Sequence, residues 1–398
     1  MSRIEKSILK YFNEYFPYYF LGGVTVMSIL IRLYCKDYIS MDMEYFLLPW
    51  YDVFKSKGVC SLSNQVGDYN ICYQTIIFLF TLIPIKPIYI YKIFSAVFDY
   101  GIAIVAALIV DDKPATKLWE RIESGRFLTA YTVLVFSPII FLNSSCWGQC
   151  DSIYSFFILF SLLSFLKKRY NLMFVAYGMA FSFKFHAIFV LPFFLIIYFV
   201  YEKFPISKFI LPPLILEISA IPGLIMGRGI LDPFIIYMKQ TGTYSAVSMN
   251  YNSFWNILVK SWKGVNKDYY EFKMVASFFT VFVLGLILKM LIDNKRVLDT
   301  FSTVLLLHIT VYTCILFLPT MHERYSYIYE ITAIMLMFYD KQYFFPGVGV
   351  ILLSCITYGH YLFGIEYPVL LTSLLNVFIY CVYMHFFYKN LRNCYKIT

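Results

Sequence analysis

Long apolar runs follow one another along almost the whole chain, at 17–35, 88–110, 127–143, 153–166, 171–183, 187–201, 209–226, 274–292, 301–318, 327–339, 343–361 and 368–388. A run of this kind must be hidden from water around its whole circumference. A bilayer does so when about 20 residues wind into one helix, which satisfies every backbone polar group internally. Charged residues make up only 14% of the 398, against roughly 25% in a soluble globular domain. A soluble enzyme, a disordered chain and a nucleic-acid-binding module are excluded together. The pattern predicts an all-α polytopic membrane protein, with about 12 transmembrane helices in a single domain over 1–398.

Charge orients it. The net charge of +9 reads as the excess of Lys and Arg that membrane proteins keep in cytoplasmic loops. With twelve spans and an inner N-terminus, the cytoplasmic segments are 1–16, 111–126, 167–170, 202–208, 293–300, 340–342 and 389–398, and they hold 18 Lys and Arg. One further apolar stretch, Tyr73–Pro84, is too short to span comfortably and ends in Pro-Ile-Lys-Pro. Counted as a span, it would put the Lys113–Arg126 and Lys167–Arg169 clusters outside, so it is expected to lie in the interface or re-enter. Both termini are then cytoplasmic. The basic N-terminal stretch lacks a short apolar core with a small-residue cleavage site, and is expected to lead into a retained first span. No Cys or His cluster has metal-site spacing; Cys60/Cys72 and Cys146/Cys150 fall outside, where either pair could oxidise.

The outer face collects the polar chemistry. The first outer segment, 36–87, carries Asp42-Met-Glu44, then Pro49-Trp50-Tyr51-Asp52, then Gly67-Asp68-Tyr69-Asn70. A carboxylate at the membrane boundary is suited to general-base work, because partial desolvation makes it hold a proton more readily. The competing reading is that Asp42, Glu44 and Asp52 are solvated loop charges. The short turn Asn143–Ser152 holds Trp147-Gly-Gln149-Cys-Asp151, where the indole also suits an interfacial belt and the acid a helix cap. Lys184-Phe-His186 stands between two apolar runs, where basic groups are costly unless they pair, face water or snorkel. His322-Glu323-Arg324-Tyr325 is the most specific cluster: His and Arg form a donor pair suited to a phosphate, and the alternative is a Glu323–Arg324 structural pair. His308 and Glu217 lie inside spans as possible cavity residues, whereas His360 and His385 read as structural. The third outer segment, 227–273, adds Asn250, Tyr251, Asn252 and Trp255, groups that stack on and hydrogen-bond to sugars.

Taken in order, Asp42…Pro49-Trp50-Tyr51-Asp52, Gly67-Asp68-Tyr69-Asn70, Trp147-Gly148-Gln149-Cys150-Asp151, Phe183-Lys184-Phe185-His186 and Met321-His322-Glu323-Arg324-Tyr325 resemble the GT-C superfamily of polytopic glycosyltransferases. Within it the chain is most similar to the bacterial relatives of the mannosyltransferase that adds the second mannose of the GPI anchor. The resemblance runs from about residue 20 to 340. Cys150 stands where an apolar residue is more usual, and the Pro or related residue usual near Asn70-Ile71 is missing.

The resemblance implies a GT-C fold with outer-face re-entrant or juxtamembrane helices. It implies inverting transfer of a hexose from a polyprenyl-phosphate donor to an acceptor hydroxyl of a surface polysaccharide or glycolipid, with Asp42 as general base. His322, Arg324 and Lys184 would meet the donor phosphate, so no metal or other cofactor is expected. Glu44, Asp68, Asn70, Trp147, Gln149, Asp151, His186, Glu323, Tyr325, Asn250 and Asn252 would contact substrate. The expected partners are the lipid donor, the glycan or glycolipid acceptor and membrane lipids. The expected place is the plasma membrane with an outer-face site; an ER membrane with a lumenal site is the alternative, slightly disfavoured because no ER-retention tail is present. A polysaccharide polymerase or ligase, or a transporter or flippase of lipid-linked sugars, is the alternative function. The latter predicts repeats and ionisable groups near the midplane, and neither pattern stands out.

Overall fold

A computed structural model describes residues 2–112, 118–259, 267–294 and 298–392. Lys113, Lys117, Lys295, Arg296 and the end of the chain, all used above to orient it, lie outside the described residues. The fold is 80% helical. In chain order the helices are α1 (Arg3–Tyr34), α2 (Leu48–Lys57), α3 (Ile71–Phe80), α4 (Pro87–Asp111), α5 (Leu118–Ile122), α6 (Gly125–Val135), α7 (Pro138–Phe141), α8 (Asp151–Leu166) and α9 (Tyr170–Phe183). They continue as α10 (Leu191–Tyr201), α11 (Leu211–Ile225), α12 (Asp232–Gln240), α13 (Trp255–Leu258), α14 (Lys267–Asn294), α15 (Thr300–Phe317), α16 (Tyr327–Met337), α17 (Phe344–Phe363) and α18 (Val369–Arg392). Among the described residues, strands are confined to β1 (Ser248–Met249) and β2 (Met321–His322), which pair in parallel.

All twelve apolar runs fall on helical segments, but they are unequal. Among the described residues, seven helices are long and apolar enough to cross a membrane, and eight if the bent pair Gly125–Val135 and Pro138–Trp147 is one span. That is the architecture of a multi-pass membrane protein. Pro138 causes the bend: it lacks an N–H and disfavours a helical backbone at Ser137, which is extended, so the two pieces meet at 47°. The runs at 153–166, 187–201 and 327–339 give the shorter helices Asp151–Leu166, Phe185–Tyr201 and Tyr327–Met337. The stretch at Tyr73–Pro84 gives α3, only ten residues long, with Ile71, Tyr73, Ile77 and Phe80 buried in the bundle.

Buried polar ties hold the helices together near the end of α1. Arg32 at the end of α1 pairs with Asp99 of α4 at 3.0 Å, and Ser144 donates to the same carboxylate oxygen at 2.5 Å. An ion pair inside a helical bundle is tolerated only when each charge has its partner. Lys92 of α4 donates to the carbonyls of Cys35 (2.8 Å), Lys36 (3.2 Å) and Tyr38 (2.6 Å), gripping the chain where it leaves α1. Cys60, Cys72, Cys146 and Cys150 are all free thiols.

Candidate functional site

The eight residues after α1 turn back so that the last of them, Asp42, opens a π-helical turn, Met43–Leu47, and is buried. A second π-helical turn, Leu142–Trp147, ends at Gly148 in a left-handed conformation. Ser40 joins the two by donating to the Trp147 carbonyl at 2.7 Å. That closure aims two donors at Asp42 Oδ2: Trp147 Nε1 at 3.0 Å and the Gln149 amide. Tyr69 fixes the amide by donating to Gln149 Oε1 at 3.2 Å. Tyr69 is itself positioned by Gly67, whose φ of +71° and missing Cβ leave room for the Trp50 indole.

Two further groups complete the shell. Arg324 Nη1 lies 3.3 Å from Asp42 Oδ2, and Tyr361 Oη of α17 donates to Oδ1 at 2.6 Å. Every neighbour donates, the arrangement that an ionised carboxylate accepts. The Tyr361 ring stacks on Trp147 with centroids 4.4 Å apart, and the Arg324 guanidinium lies over the same indole at 5.4 Å.

Asp42 faces a cavity of about 470 Å³ that is also lined by Asp68, Gln149, Lys184, His186, His322, Arg324 and Tyr325. Five sequence-separated motifs therefore meet at one space. Lys184 reaches it because its backbone is extended between α9 and the 3-10 turn Phe185–Val190. The β1–β2 pair, Ser248 against Met321 and Met249 against His322, fastens the segment 227–273 to the His322–Tyr325 turn. His186 and Tyr325 pack ring on ring at 3.6 Å between centroids. Among the described residues that line the cavity, three buried polar atoms lack a hydrogen-bond partner: His186 Nδ1, His322 Nε2 and Arg324 Nε. Buried polar groups rarely go unsatisfied unless a ligand or water meets them.

Several expected substrate contacts are placed elsewhere. Glu44 points away from the cavity and is exposed, because residues two apart on a helical turn lie on opposite sides. Asn70 is buried and capping, accepting from its neighbour Ile71 N at 2.8 Å and donating to the Pro233 carbonyl at 2.9 Å. Asn252 accepts from Thr372 Oγ1 at 2.7 Å, and Asn250 is exposed, its carbonyl accepting from Tyr367. Tyr251 and Trp255 are buried, bonded to Tyr329 Oη and the Phe317 carbonyl. His308 is buried against Tyr329 and Thr332, and neither it nor Glu217 lines the cavity. Asp151 is fully buried, paired with Lys184 and accepting from Asn143 at 3.0 Å. Tyr361, Tyr244, Gln240 and Lys273 line the cavity without having been singled out from the sequence.

Charge differs from expectation at two positions. His322 is pushed well below the ordinary histidine value by burial and by Arg324 and Lys184, so it is a neutral hydrogen-bonding group. Glu323 is fully buried with neither oxygen hydrogen-bonded, 3.7 Å from Arg324. Burial pushes its carboxyl up to about 7 against the opposing pull of Arg324. A carboxyl raised from about 4.5 on folding favours the folded state in its protonated form. That contribution is complete below pH 4.5 and is lost as pH rises to about 7. Thermal unfolding in detergent should therefore show a midpoint that declines between those pH values in the wild type, and a flatter profile in Glu323→Gln; identical profiles would refute this.

No protein-family model matches the chain, and no curated protein matches it.

Proposed function

We propose that the protein is an inverting glycosyltransferase of the GT-C type, transferring a hexose from a polyprenyl-phosphate donor to a hydroxyl of a surface polysaccharide or glycolipid. The observation that carries this reading is one buried carboxylate, Asp42, facing a cavity also lined by Arg324, His322 and His186, each of which has a buried nitrogen without a partner. A phosphate oxygen is the acceptor that such donors lack. In this reading twelve helices cross the plasma membrane, α3 lies at its outer boundary, both termini are cytoplasmic and the cavity opens outside.

The chemistry follows from the shell. As the acceptor oxygen bonds to the anomeric carbon, its proton passes to Asp42. The bond from that carbon to phosphate breaks at the same time, and the electron pair leaves with the polyprenyl phosphate. Attack opposite the leaving group inverts the centre. Arg324, with hydrogen bonds from the two histidines, stabilises the departing phosphate where its charge grows. Side chains supply the charge in this scheme, and no cofactor enters it.

The test supplies radiolabelled polyprenyl-phosphate hexoses, with an acceptor extract, to purified wild type and to Asp42→Asn. Transfer by the wild type should fall about 10²–10⁴-fold in the variant, the usual share of a general base, while donor binding persists. Full activity in Asp42→Asn would move the base elsewhere. No donor consumed by the wild type would overturn the reading in favour of transport.

A further inference from the structure

Asp42 is approached from two directions. Arg324, Trp147 and Gln149 address Oδ2, whereas Tyr361 alone addresses Oδ1, at 2.6 Å. Behind Tyr361 lies a second cavity of about 370 Å³. Tyr361 lines both spaces, and its ring stacks on Trp147. The second cavity carries its own polar groups: Ser40, Glu44 and His360. Glu44, left without a role in the main cavity, is exposed here, and His360 keeps one ring nitrogen on the Ile365 carbonyl at 3.0 Å. A carboxylate and an imidazole lining one space, beside a tyrosine whose hydroxyl is held on Asp42, are a hydroxyl-binding set, since sugar hydroxyls both donate and accept.

We infer that the second cavity is the acceptor subsite, which takes a hydroxyl-rich glycan and delivers one hydroxyl to Asp42 Oδ1 when Tyr361 turns aside. The inference rests on the transferase reading. An in-line displacement needs the nucleophile opposite the leaving group, and the phosphate-binding nitrogens belong to the main cavity. Tyr361 is then a specificity and positioning residue: closed, it keeps water off Oδ1, and opened, it admits the acceptor.

Two readouts separate this inference from the reading beneath it. With full-length protein in nanodiscs, octyl glycosides of mannose, glucose and galactose serve as acceptor probes, and donor hydrolysis by water is followed separately. Glu44→Gln and His360→Ala should each raise the KM for the octyl glycoside about tenfold, the usual effect of one lost hydrogen bond, while donor KM and donor hydrolysis stay unchanged. Tyr361→Phe, which keeps the ring on Trp147, should raise donor hydrolysis relative to transfer. The second readout needs no turnover. Met41, exposed on the same cavity, is replaced by cysteine, and its maleimide labelling is quantified by peptide mass spectrometry. The octyl glycoside should slow labelling, and Glu44→Gln with His360→Ala should abolish that protection. Protection without donor consumption would sustain the subsite and sink the transferase reading. Donor turnover with no protection and an unmoved acceptor KM would sink the subsite alone.

Discussion

On the proposed reading, Arg324→Ala is expected to remove both the grip on an oxyanion and a large part of the stability of the region around Asp42. Its guanidinium is the cation on Asp42 at 3.3 Å and the nearest charge to Glu323 at 3.7 Å. Removing one partner from a buried pair leaves the other charge uncompensated, which costs about 3–5 kcal/mol. Two carboxylates would be stranded here, and protonation of Glu323 offsets part of the loss. Phosphate binding loses a charged donor, so affinity for a short-chain prenyl phosphate should drop about ten- to hundredfold. Arg324→Lys separates the two effects. A lysine keeps the charge that stabilises Asp42, but it lacks the planar fork that spans a carboxylate and a phosphate together. Thermal unfolding of Arg324→Lys should therefore stay near wild type while its prenyl phosphate affinity falls almost as far as in alanine. An alanine variant that binds prenyl phosphate as well as wild type would remove Arg324 from the site.

What the sequence made legible follows from cost. A charge in an apolar context needs a reason, so Asp42, Lys184 and Arg324 stood out, and all three line one cavity. Tyr361 did not stand out, because a tyrosine at the end of an apolar run is ordinary in an interfacial belt. Its role depends on a contact with Asp42 across 319 positions, which no local pattern encodes. The Arg32–Asp99 pair was hidden for a related reason: each member interrupts a different apolar run, 67 positions apart, and looks like an isolated exception. Glu44 is the substrate contact that the resemblance implies and the winding of the chain turns away. Residues two apart face the same way on an extended chain but opposite ways on a helical turn, and the π-helical winding at Met43–Leu47 was not visible. Asn252 has the chemistry to bind a sugar, but its side chain is used to anchor the loop, accepting from Thr372. For the helices, apolar content predicted their places well and their lengths poorly. Composition does not register the bend that Pro138 imposes, and it does not set where short helices such as α16 stop.

Lys184 presents the sharpest division between a phosphate ligand and a structural charge, and its partner Asp151 gives the means to decide. Their pair is buried on both sides, and Asn143 satisfies the second carboxylate oxygen. With its ammonium balanced by Asp151, Lys184 brings little net charge to the cavity, although it forms part of the wall. Lys184→Met should destabilise the protein by about 3–5 kcal/mol, because Asp151 is left ionised with no cation; Asp151→Leu should do the same to the lysine. The double variant, apolar at both positions, should recover most of the loss, since replacing a whole buried pair by packed apolar groups is often close to neutral. Thermal unfolding of the four proteins gives the coupling directly. Prenyl phosphate binding then completes the test. If the pair serves to hold α8 against the start of the Phe185–Val190 turn, the recovered double variant binds the probe nearly as wild type does. If it is stable yet binds as weakly as Arg324→Ala, Lys184 contacts the phosphate and Asp151 holds the amine for that purpose.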